Sequence, residues 1–73
     1  MALATNGNSI RDLRYERGLT YRELAAKAGV NYSTIWRIEH GERGGSVALL
    51  KRIADALGVP VAEITIDPDA EVA

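Results

Sequence analysis

The sequence predicts an all-α protein, a compact bundle of four to five short helices. Three observations carry that expectation. Apolar residues recur three and four positions apart in successive runs. Glycines at 18, 29, 41 and 58 close those runs, and glycine is the residue that most readily ends a helix. The one β-like stretch is the short "ITI" at 64–66.

The first run, "NSIRDLRYERG", has Ile10 and Leu13 on one face and Gly18 at its stop. Ser9, with Asp12 three residues on, is the expected N-cap. The second run, "TYRELAAKAG", opens on Thr20 and Glu23, a T-x-x-E capping box. Leu24, Ala25 and Ala28 form its inward stripe. The third, "NYSTIWRIEHG", starts at Asn31, a favoured N-cap. Ile35 and Ile38 point to the core, which leaves positions 32, 33, 36, 37 and 40 outside. The fourth, "SVALLKRIADALG", carries Val47, Leu50, Ile53, Ala54 and Leu57 at helical spacing. "PVAEI" allows one more turn, with Pro60 at its start.

Length and composition bound the function. With 73 residues there is one domain, and 47% hydrophobic content supports a packed core. No cysteine is present, which excludes disulfides and thiolate metal sites. No apolar run approaches the ~20 residues of a membrane span, and "MALATNGNS" lacks the blocks of a signal peptide. A cytoplasmic protein without cofactor, metal or small-molecule substrate is expected. Residues 1–58 hold all nine Lys and Arg against six acids, a balance of +3, while residues 59–73 hold four acids and no base. A mildly basic body followed by an acidic end suits a body that meets a polyanion and an end that does not; chance composition and a solvated end fit the same numbers. The expected organisation is a disordered segment at 1–8, the domain at 9–66 and an acidic mobile tail at 67–73.

The second and third helices, joined by Gly29-Val30-Asn31, describe a helix-turn-helix. Ala25 is small where the helices cross. Gly29 permits a positive φ at a turn where little room is expected. Val30 plugs the joint, and Ile35 and Ile38 fix the third helix to the core. The spacing Leu24-Ala25, Gly29-Val30, Ile35 and Ile38, with "RIEHGER" and "RIADALGV", resembles the Cro/repressor-type (XRE-like) helix-turn-helix family over residues 9–64.

The resemblance implies a lambda-repressor-like DNA-binding domain whose third helix enters the major groove. Carried over, the base-reading positions are Tyr32, Ser33 and Arg37, flanked by Asn31 and Trp36. Arginine suits guanine O6 and N7, serine suits several bases, and the two aromatics suit thymine methyl groups. The implied phosphate contacts are Thr20, Tyr21, Arg22, Arg43 and Ser46. Many relatives have Gln where this chain has Tyr21, and Gly44-Gly45 replaces a more usual Pro-containing loop. Arg14 and Glu39 match a charge pair of the family, expected to fix helix 1 to helix 3 with Arg14 near phosphate; if exposed, such a pair is worth ~0–1 kcal/mol.

The implied function is a small repressor or Cro-like regulator occupying a promoter. Its partner would be double-stranded DNA carrying a palindromic operator, bound as a homodimer. Two alternatives stay open, an antitoxin-like or regulatory protein-binding module and an architectural, recombination-directing DNA binder. Individual residues also have plainer readings: Trp36 as core or dimer contact, Tyr32 as a surface aromatic, Arg37 as a solvated charge, His40 as a cap on its helix. No enzyme constellation is present, and "GERGG" lacks the Lys-Ser/Thr of a phosphate loop.

Overall fold

The computed structural model describes residues 4–66. Its elements are β1 (Ala4–Thr5), α1 (Gly7–Glu16), α2 (Tyr21–Ala28), α3 (Tyr32–Glu39), α4 (Val47–Leu57), a 3-10 turn (Val61–Ile64) and β2 (Thr65–Ile66). The helices lie where the glycine-punctuated runs place them, and Pro60 precedes the last turn as expected.

The core joins every helix. Ile10 from α1, Leu24, Ala25 and Ala28 from α2, and Ile35 and Ile38 from α3 are buried with Leu50, Ile53, Ala54 and Leu57 from α4. Ile64 closes it from the 3-10 turn. Val47 is a correction: it is the first residue of α4 and is 69% exposed, and the same turn reaches the core through Leu50 instead.

The chain between α2 and α3 turns as the sequence predicts. Gly29 adopts φ 72°, the Val30 N–H donates to the Ala25 carbonyl at 3.0 Å, and the Gly29 N–H donates to that of Ala26. This double bond pattern satisfies two carbonyls left open at the helix end. The expectation of a crowded turn is corrected. A β-carbon at Gly29 would meet nothing within 4 Å, so the left-handed backbone, not lack of space, selects glycine here.

The start of α1 also differs from expectation. Asn6, not Ser9, is the N-cap, and its carboxamide oxygen accepts the Ser9 N–H at 3.1 Å. Asn serves this role as well as Ser, and the earlier start adds a turn that packs on α3. Gly7 makes that packing possible: a β-carbon there would lie 2.5 Å from the Ile38 carbonyl oxygen and 2.6 Å from that of Glu39.

Residues 4–8 are therefore a strand and a helix start rather than a disordered segment. Ala4 pairs with Ile66 and Thr5 with Thr65 in a small antiparallel sheet, to which "ITI" was the one sequence clue. The rest of the 1–8 segment and the 67–73 tail lie outside the described residues.

Candidate nucleic-acid interface

α3 presents two opposed faces. Ile35, Ile38 and Glu39 are buried, whereas Asn31, Tyr32, Ser33, Trp36 and Arg37 are all exposed. Tyr32, Ser33, Trp36 and Arg37 line one shallow recess together with Glu42. The structure thus brings four of the five proposed base-reading side chains to one place. Tyr32 is 47% and Trp36 38% exposed, which corrects the core reading of Trp36.

Asn31 occupies the N-cap position in extended backbone, but its side chain makes no capping bond. Thr34 N–H bonds instead to the Asn31 backbone carbonyl at 3.1 Å. The carboxamide is left facing outward with its donors and acceptor uncommitted to the helix.

Both aromatics are backed by a planar group. The Arg22 guanidinium lies 4.5 Å from the Tyr32 ring centroid. The His40 ring stacks on Trp36 with centroids 4.0 Å apart and planes 19° from parallel. His40 Nδ1 also sits 2.8 Å from the Trp36 carbonyl oxygen, so His40 caps the end of α3 while supporting the indole. Among the described residues Arg37 makes no ion pair.

Glu42 was not singled out from the sequence. Its N–H donates to the Arg37 carbonyl at 2.8 Å, which folds it back beside α3. Gly41, at φ 74°, was the available signal, since a left-handed glycine returns the second residue after a helix to its last turn.

The proposed phosphate contacts sit at two helix starts. The Thr20 hydroxyl accepts the Glu23 N–H at 3.1 Å, and the Glu23 carboxylate accepts the Thr20 N–H at 2.9 Å. This closes the expected capping box and sets the angle of α2. Arg22 is exposed in the first turn of α2, its guanidinium against the ring of Tyr32, the first residue of α3. Tyr21 is half-buried, with the Arg14 guanidinium 4.2 Å from its ring centroid. Ser46 caps α4 by accepting the Leu49 N–H at 3.1 Å. Arg43 is exposed in the preceding loop, its Nε donating to the Gly44 carbonyl.

Arg14 pairs with Glu39 across α1 and α3 as expected, but its expected place near phosphate is corrected. It is 4% exposed and lies inside the fold, so it does not face a phosphate. Its Nε and Nη2 donate to the two Glu39 carboxylate oxygens at 2.8 and 3.1 Å, and Nη1 donates to the Leu19 carbonyl at 3.0 Å. The Glu39 hydrogen bond raises the Arg14 pKa above its already high ordinary value, against the opposing effect of burial. This two-pronged pair locks α1 to α3 and so fixes how far the outer face of α3 protrudes.

The sequence profile of a helix-turn-helix domain matches residues 7–65. The chain belongs to this helix-turn-helix family. It is 46% identical over 55 residues to the HTH-type transcriptional repressor RghR of Bacillus subtilis, covering 74% of this chain and 41% of RghR. It thus spans less than half the length of that relative. Among solved structures, the restriction-modification controller protein C.AhdI from Aeromonas hydrophila superposes with a TM-score of 0.76 at 32% identity, over 78% of this chain and 86% of that one. SinR, a master regulator for biofilm formation solved in complex with DNA, gives 0.73 at 35% identity, over 77% and 90%. The lambda-repressor-like bundle expected from the sequence is the fold of this chain.

Proposed function

We propose that this chain binds double-stranded DNA with α3 in the major groove and regulates transcription, acting as a repressor that occupies a promoter. The observation that carries the reading is the outward face of α3. It gathers Tyr32, Ser33, Trp36 and Arg37 on a helix that Glu39, Ile35 and Ile38 fix from behind. Names of relatives such as RghR, and the DNA complex of SinR, support it. Asn31 flanks the base-reading set, while Thr20, Tyr21, Arg22, Arg43 and Ser46 grip phosphate on either side. A homodimer on a palindromic operator follows from the two-fold logic of such modules. The acidic residues Asp67, Asp69 and Glu71 repel phosphate and are proposed to take no part in the contact.

Selection of bound duplexes from random DNA tests the reading, and enrichment of an inverted repeat is the expected outcome. Affinity should fall steeply with salt, and Arg43→Ala should lower the slope of log affinity against log salt by about 1. Absence of any enriched sequence would remove the reading. A regulatory protein-binding module is the second reading, favoured by the two exposed aromatics, since such residues anchor protein interfaces. It predicts binding that salt barely weakens.

A further inference from the structure

We propose that the recess on α3 selects a thymine followed directly by guanine, by packing the thymine 5-methyl group between Tyr32 and Trp36 while Arg37 takes the guanine edge. The inference rests on the DNA-binding reading above and narrows it to a dinucleotide.

Three features of the recess lead to it. Its wall is two aromatic side chains one helical turn apart, and both are held before any ligand arrives. Arg22 backs Tyr32 at 4.5 Å and His40 backs Trp36 at 4.0 Å. A ring already fixed loses little rotamer freedom on contact, so the small apolar gain from one methyl group is not cancelled. Next to that wall stands Arg37, without an ion-pair partner among the described residues. Glu42, an acidic residue, lines the same recess. A negative charge there discourages a phosphate from settling and leaves the recess to base edges.

An apolar wall beside a free guanidinium calls for an apolar group beside two acceptors. In the major groove thymine alone among the ordinary bases carries a methyl group, and guanine alone offers the O6 and N7 pair. The methyl group of a thymine stands beside the O6 and N7 edge of the guanine that follows it. One recess therefore covers both.

The test replaces thymine by uracil, which deletes the methyl group and keeps every hydrogen-bonding atom. Duplexes recovered by selection with the unaltered protein should carry a thymine-guanine step in each half-site. Uracil at that step should weaken binding about fourfold per thymine, and uracil elsewhere in the site by less than about 1.5-fold. Trp36→Ala should bind thymine and uracil duplexes equally, its fold checked by circular dichroism. Three results would overturn the proposal: a selected site without the step, uracil binding as well as thymine, or Trp36→Ala still preferring thymine. Each leaves DNA binding itself intact. Failure to enrich any sequence would instead strike the DNA reading and this one with it.

Discussion

Arg14 and Glu39 meet at 2.8 Å with side chains 5% and 0% exposed, whereas Lys51 and Asp55 meet at 2.6 Å with side chains 63% and 62% exposed. Distance alone would rank the second pair higher. Burial reverses the ranking. On the outer surface of α4, water screens the attraction and two long side chains lose freedom to form it. Between α1 and α3, both oxygens of Glu39 are bonded, and neither charge has water to fall back on. The first pair decides where the outward face of α3 stands; the second decorates a helix.

The largest effect should come from Glu39→Gln, which leaves the Arg14 charge buried beside a neutral partner. A loss of about 3–5 kcal/mol is expected, comparable with the whole stability of a chain this small. Thermal or urea unfolding would measure it, and a loss under about 1 kcal/mol would erase the contrast with Lys51. Replacing both partners by apolar residues, Arg14→Met with Glu39→Leu, should recover most of the loss, because no unpaired charge then remains.

Gly7→Ala comes next. The methyl group would press on the carbonyls of Ile38 and Glu39, the same junction that the buried pair holds. Displacement of α1 should cost about 1–3 kcal/mol by the same unfolding measurement. A stability equal to that of the parent chain would show that α1 and α3 can separate freely at this point.

Arg37→Ala tests the outward side of the comparison. Folding should be unaffected, while specific binding weakens by about 1–3 kcal/mol with relaxed preference at one base pair. Competition between point-changed duplexes reads this directly; equal losses on every sequence would assign Arg37 to phosphate instead. Lys51→Ala should have the smallest effect, about 0.3–0.5 kcal/mol of stability. A loss above about 1 kcal/mol would mean that exposure does not set the worth of an ion pair here.

What the sequence made legible was local. The capping box at Thr20 and Glu23, the left-handed Gly29 and the inward pair Ile35 and Ile38 each depend on neighbours within a few positions, and each is found as read. The exposed set on α3 followed from the same helical period. Contacts between distant segments left little trace. Asn6 and Gly7 read as part of a disordered segment until α3 packs on them, and the pair of Arg14 with Glu39, 25 positions away, came only from the family resemblance, which left its burial open. Val47 failed for the opposite reason: its spacing is helical, but it stands at the very start of α4 and is exposed, and Leu50 carries the contact of that turn with the core. At the candidate interface, Arg22 behind Tyr32 joins two helices and carried no pattern in the chain. His40 behind Trp36 was legible as a cap but not as a stacking partner.

The pairing of Ala4 with Ile66 has a topological consequence. It makes the described chain nearly a ring, with its two ends side by side at a margin formed by Asn6, Gly7, His40 and Gly41. A short linker joining the strands would close that ring, and a cut at the exposed Gly44 would reopen it between α3 and α4 with every helix keeping its neighbours. For anything fused to the domain, the choice of end is no choice at all. A second module joined directly to Ala4 or to Ile66 starts from the same margin, next to the C-terminal end of α3.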